Sequence, residues 1–172
     1  MSPVFSFPPI AAPDAHVLIL GSMPGVASLT AQRYYAHPHN QFWPIMAALL
    51  GFDSALPYPQ RCAHLNAAGI AVWDVLQSCV RPGSLDADID AASSVPNDFA
   101  AFFAAHPQIC GVCFNGGTAK SLFSRHVLPG LDLPELSYAS LPSTSPAHAG
   151  MRPPEKLACW RAALDGLLQL SA

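Results

Sequence analysis

The sequence predicts an α/β protein, one three-layer α/β/α domain around a mainly parallel four-stranded sheet. Three short apolar runs and a last mixed strand segment, each bounded by Gly, Pro or polar residues, alternate with longer segments whose apolar residues recur at helical spacing. Strands separated in this way by helices pair in parallel. The 172 residues, 51% of them hydrophobic, are enough for one substantial core and cramped for two. Residues 1–172 are therefore read as a single domain, with the Pro-rich stretch Ser2 to Pro13 as an extended arm.

His16 to Leu20 is the first strand, a continuous apolar run entering the tight loop Gly21-Ser22-Met23-Pro24-Gly25. Asn40 to Leu50 places Phe42, Ile45, Met46, Leu49 and Leu50 on one helical stripe, and Gly51 follows as a C-terminal cap. Arg61 to Ala68 reads as a helix stopped by Gly69, Ile70 to Val75 as the second strand, and Arg81 to Ala91 as a polar loop or short helix. Pro96 to Ala105 carries Phe99, Phe102 and Phe103 on one side and reads as a helix ahead of the strand Ile109 to Phe114. A helix over roughly Thr118 to His126 and a last strand over Glu135 to Leu141 follow. The chain closes on a helix over Pro153 to Leu170, whose core stripe is Leu157, Trp160, Leu164, Leu167 and Leu168.

Composition narrows the function. Only 11% of residues are charged, so polar work falls on backbone, Ser, Thr, Asn and His. A formal net charge of −3 argues against gripping nucleic acid through a broad basic surface, and leaves a narrow contact open. Five cysteines, an odd number without a leader-like segment, point to free thiols in the cytoplasm. Cys110 and Cys113 have metal-site spacing but lie in an apolar strand, where positions three apart face opposite ways, so they read as core and no metal or other cofactor is expected. No apolar run has the length of a membrane span.

In parallel sheets ligands bind beyond the carboxyl ends of the strands. That rule gathers Gly21 to Gly25, His37 to Asn40, Asn115 to Gly117 and Ser143 to His148 on one rim. The Gly- and Pro-fixed first loop can offer backbone N–H groups to an anion, and Ser143, Thr144 and Ser145 add hydroxyls. The loop lacks the lysine of a nucleotide-triphosphate loop and the three-glycine spacing of a dinucleotide fingerprint.

These segments resemble a known family. Gly21-Ser22-Met23-Pro24-Gly25 after a strand, then Tyr34-Tyr35-Ala36-His37-Pro38-His39-Asn40-Gln41-Phe42-Trp43, Trp73-Asp74, Phe114-Asn115-Gly116 and Leu141-Pro142-Ser143-Thr144-Ser145-Pro146-Ala147 are similar to motifs of the uracil-DNA glycosylase superfamily. The closest likeness is to its hypoxanthine-DNA glycosylase branch, and it runs from about Asp14 to Leu168. The resemblance implies the superfamily's fold, DNA carrying a deaminated base as partner, and a monofunctional glycosylase acting as a monomer on a flipped nucleotide. Deoxyinosine is favoured as substrate; uracil or mismatched thymine, or a non-catalytic nucleic-acid-binding relative, are the alternatives.

Most branches carry Asp or Asn where Met23 stands, and a thioether cannot orient water. In the hypoxanthine branch the resemblance assigns that task to the Asn of His-Pro-x-Asn, here Asn40, whose carboxamide accepts from the water without being a strong base. Leu141 replaces a His or Asn that helps the base depart, leaving His37, His148 or a backbone N–H to substitute. The remaining expectations are Phe42 as the ring that stacks on the base, Asn115 for reading the base or bracing its loop, and Asp74 and Asp88 as polar alternatives. Gly21, Ser22, Met23, Pro24 and Gly25 with Ser143, Thr144 and Ser145 are expected to clamp the phosphates, with Arg33, Lys120 and Arg152 as local charges.

Overall fold

The computed structural model describes residues 1–133 and 135–169. Among the described residues seven strands and six helices follow in the order β1 (Val4–Phe5), β2 (Val17–Gly21), α1 (Val26–Ala31), α2 (Phe42–Leu50), α3 (Tyr58–Ala67), β3 (Ile70–Asp74), β4 (Leu76–Cys79), β5 (Val95–Pro96), α4 (Phe99–Ala105), β6 (Gly111–Asn115), α5 (Gly117–His126), β7 (Ser137–Leu141) and α6 (Pro153–Gln169). The predicted helix end at Leu170 lies outside the described residues.

All four predicted strands are present and pair in parallel in the order β3-β2-β6-β7. Alternation sorts their side chains by face. Leu18, Leu20, Trp73, Val112 and Phe114 meet α4 and α5, while Val17, Ile19, Ile70, Val72 and Cys113 meet α2, α3 and α6. Because both faces are covered, β2, β3 and β6 are buried throughout and read as largely continuous apolar runs, whereas the edge strand β7 is mostly exposed. Chain order reverses across β2, with β3 on one side and β6 on the other, which opens a crevice at the carboxyl ends of these strands.

Three features lie outside the expectation. The helix α1 is six residues with neither a side-chain N-cap nor acidic residues in its first turn. A small antiparallel sheet β1-β4-β5 forms beside the main one, and β4 continues almost directly from β3. The N-terminal arm is not free: β1 pairs with β4, Ile10 bridges Val72, and the Phe7 carbonyl accepts from Trp73 Nε1 at 3.1 Å. The segment expected as a polar loop or short helix holds two short 3₁₀ turns, Asp86–Asp88 and Ala91–Ser93.

Candidate active site

The crevice is a cleft of about 320 Å³ whose walls come from the loop after β2, the turn from Tyr34 to Asn40, the end of β3, the end of β6, and the loop after β7. It gathers Gly21, Ser22, Met23, Pro24, Gly25, His37, Asn40, Asn115, Ser143, Thr144 and Ser145. Cross-links over long sequence distances hold it. Gln41 N donates to the Thr144 carbonyl at 2.9 Å, Gly116 N to Leu141 O at 3.0 Å, and Trp160 Nε1 of α6 to Pro142 O at 3.0 Å.

Asn40 is half-buried, and its Oδ1 accepts from Phe42 N at 2.9 Å, an Asx turn that leads into α2. The oxygen keeps a second lone pair, so bracing the turn and holding a water are compatible. Next to it, His37 Nδ1 accepts from His39 N at 3.1 Å, which places the proton of the neutral ring on Nε2.

Several expected binding side chains are already engaged. Asn115 makes two bonds to Thr144: its Nδ2 donates to Thr144 Oγ1 at 2.9 Å and its Oδ1 accepts from Thr144 N at 2.9 Å. Thr144 is fully buried, so it ties the ends of β6 and β7 together and is not a phosphate clamp. Ser22 Oγ donates to Asp86 Oδ1 at 2.6 Å, and Met23 packs into the apolar core under its own loop. Ser143 and Ser145 differ: each Oγ accepts a nearby backbone N–H, from Ser145 and Ala147 respectively, which leaves the hydroxyl proton free to donate outward.

Two expectations need correction. Phe42 is fully buried on the core face of α2, between Tyr35 at 4.2 Å (stacked) and Trp160 at 6.4 Å, so it does not line the cleft. Its apolar helical spacing won. The ring that does line the cleft is Tyr35, half-buried, braced by Phe42 and held at φ 56°, an uncommon conformation for a residue other than glycine. His148 is exposed and outside the cleft, its backbone N–H closing a turn onto Ser145 O.

Of the expected local charges, Lys120 is exposed on α5, Arg152 pairs at the surface with Glu155 at 3.3 Å, and Arg33 borders a neighbouring hollow with His37, Asn40 and Arg61. The expected alternative Asp88 is exposed in its 3₁₀ turn. Two cations that sequence reasoning passed over stand closer. Arg81 is buried behind the first loop, donating from Nη2 to Pro24 O and from Nε to Gly83 O at 3.0 Å. Lys156 is buried behind the downstream loop with Nζ 3.4 Å from Ser145 O, and burial pushes its ammonium pKa down. Leu85, 53% exposed beside Ser84 and Asp86, adds an apolar tip to the rim.

The floor of the cleft holds Asp74 and the Tyr35 hydroxyl. Asp74 is 3% exposed, and its Oδ2 is buried without a hydrogen-bond partner. Burial first and Asp86 second push its carboxyl up to about 7, with Arg81 opposing. The Tyr35 hydroxyl is likewise buried and unpartnered. Burial and then Asp74 raise its pKa, and the nearby Asn115 carboxamide opposes that without a hydrogen bond of ordinary geometry. A local signal existed for Asp74, a lone carboxylate ending an apolar strand. None existed for its meeting with Tyr35.

Known proteins resemble this chain in sequence and in fold. The chain is 34% identical over 111 residues to a hypoxanthine DNA glycosylase of Methanosarcina barkeri, covering 64% of this chain and 69% of that protein. It is 32% identical over 114 residues to a hypoxanthine DNA glycosylase of Methanosarcina acetivorans, covering 66% and 71%. The solution NMR structure of a candidate uracil DNA glycosylase from Methanosarcina acetivorans superposes with a TM-score of 0.76 at 28% identity, over 94% of this chain and 98% of that one. The description "Uracil DNA glycosylase superfamily" matches residues 8–167, a span that runs from the stitched arm through every strand end and loop bordering the cleft. The likeness is therefore to the whole fold and not to one motif, and the chain belongs to the uracil DNA glycosylase superfamily.

Proposed function

We propose that this chain is a DNA glycosylase that hydrolyses the N-glycosidic bond of a deaminated base, hypoxanthine above all, on a nucleotide turned out of DNA. The observation that carries the reading is the meeting of Asn40 with the β2 and β7 loops in one cleft, in a chain whose relatives include hypoxanthine DNA glycosylases. Turning a nucleotide out of the stack costs a few kcal/mol, least for a mispaired base. The polar floor, Asp74 with the Tyr35 hydroxyl, recovers part of that cost by contacts to the base edge. Asn40 holds a water for the anomeric carbon. Ser143, Ser145 and the backbone from Ser22 to Gly25 take the flanking phosphates, whose charge steadies the oxocarbenium-like sugar.

No lysine is among the described residues lining the cleft, which suits hydrolysis by water rather than a Schiff-base route. We take the protein to act as a monomer in the cytoplasm, a setting in which its free cysteines stay reduced. No helix among the described residues is long and apolar enough to cross a membrane.

A panel of duplex oligonucleotides, each with one inosine, uracil, xanthine or mismatched thymine, tests the reading. Abasic product is expected most rapidly from inosine. Release of uracil without inosine would move the assignment to a uracil enzyme, and binding without product after prolonged single-turnover incubation would leave a binding module only.

A further inference from the structure

A purine cannot leave its sugar cheaply as an anion, so a glycosylase gains rate by giving the departing base a proton. In this cleft the downstream loop offers nothing for that purpose at its start, because Leu141 is apolar and buried. The floor does.

Gly21 and Asp74 are opposite each other in the parallel register of β2 and β3. A Cβ built on Gly21 would lie 2.5 Å from Asp74 Oδ1 and 3.1 Å from the Tyr35 hydroxyl. The two groups therefore converge on a bare α-carbon, and only glycine leaves room for them. Both Asp74 Oδ2 and the Tyr35 hydroxyl are buried without partners. An ionised carboxylate in that position would be costly, whereas the acid form is a donor with a proton to give. Orphaned polar groups in a cleft are what a substrate satisfies.

We propose that Asp74 is the general acid of this chain's reaction, protonating the leaving purine while the Tyr35 hydroxyl donates to the same edge. The inference rests on the glycosylase reading above. As the C1′–N9 bond breaks, its electron pair passes into the purine ring and the Oδ2 proton passes to the edge that carries N7 and O6. The water at Asn40 bonds through oxygen to C1′ and releases a proton to solvent, and the Asp74 carboxylate takes one back. Water is thereby added across the bond and nothing else is consumed. Two O–H donors suit the N7 and O6 acceptors of hypoxanthine, whereas adenine presents an N6 amino donor at the O6 position.

The carboxyl is faced by Asp86 and Arg81 from the segment after β4 and by Tyr34 and Tyr35 from the turn after α1, with His37 at the rim. It holds its proton to about 7 in the folded chain against 3.8 for an unburied aspartate. The acid form is thus lost as pH rises through about 7. The same difference weakens folding as pH climbs between those two values and keeps it weakened above them, a penalty that an amide removes.

The test measures single-turnover excision of inosine from a duplex oligonucleotide across pH 5.5 to 9 for the wild-type protein, Asp74→Asn and His37→Gln. It adds binding of an oligonucleotide with an uncleavable 2′-fluoro inosine analogue. Wild-type rates should fall about tenfold per pH unit on the alkaline side. In Asp74→Asn that limb should vanish, with the plateau lower by on the order of 100-fold and analogue binding within a few-fold. Melting of Asp74→Asn above that of wild type at pH 8 shows that the variant is folded and that the buried charge is gone. A variant within threefold of the wild-type rate, or one that keeps the alkaline limb, overturns the inference, as does a limb that moves with His37→Gln instead. Absence of any excision by the wild-type protein would overturn the glycosylase reading and this inference with it.

Discussion

Asn40→Ala should fold, lose roughly 1 kcal/mol of stability, and excise inosine more slowly by about 100-fold or more. The two effects come from one carboxamide. The stability term is the Asx-turn bond from Phe42 N at 2.9 Å, whose loss frees the first turn of α2. The rate term is the loss of the acceptor that fixes a water at the mouth of the cleft. Asn40→Asp separates them, because a carboxylate keeps the turn and still accepts from water. Its melting temperature should match that of wild type, and its rate should stand well above that of Asn40→Ala. The check is single-turnover kinetics beside thermal melting, and an alanine variant with wild-type rate would end the assignment of Asn40.

The second large effect is expected at Gly21→Ala. Gly21 lies in extended strand, so alanine is acceptable to the backbone there, and the cost is purely one of space. A Cβ 2.5 Å from Asp74 Oδ1 must push the carboxyl away, and its second contact, 3.1 Å from the Tyr35 hydroxyl, leaves the phenol little room to absorb the shift. Overpacking of this kind costs about 1 to 3 kcal/mol. Displacement of the cleft floor by the better part of an ångström should reduce excision on the order of 100-fold. Gly166→Ala is the matching control: it lies within α6, a Cβ there meets nothing within 4 Å, and alanine should add about 0.5 to 1 kcal/mol without touching the rate. Equal rates for Gly21→Ala and wild type would mean that neither floor group has a fixed position that matters.

Features repeated within a segment were legible in the sequence. The strands β2, β3 and β6 were visible because burial on both faces makes them largely unbroken apolar runs, and α2, α4 and α6 because their apolar residues recur on one stripe. The helix α1 was not, since six residues give hardly more than one turn of periodicity. Neither was β4, which continues β3 across a single residue and joins a second sheet only by pairing with distant β1 and β5.

The same division governs the cleft. Loop positions at strand ends could be named in advance, because topology places them on one rim. What each side chain does there depends on partners far away in sequence. Asn115 and Thr144 bond to each other across 29 positions, which braces the ends of β6 and β7. Phe42 follows the helical stripe inward and supports Tyr35 instead of facing the base. The convergence of Asp74 and Tyr35 on Gly21 requires the strand register and the turn after α1 together, and no window of sequence contains both.

The buried cations behind the two loops bear on ionic strength. On the proposed reading, the groups that meet phosphate are neutral hydroxyls and backbone N–H groups, while Arg81 and Lys156 stay buried, bonded to carbonyls of the loops they support. Few cations then reach phosphate directly, and binding displaces few of the counterions condensed on DNA. Raising salt from 50 to 200 mM should weaken affinity for an inosine duplex by on the order of tenfold, read by fluorescence anisotropy, where proteins that neutralise six to ten phosphates lose a thousandfold or more. A protein of net charge −3 built in this way trades long-range attraction for tolerance of salt.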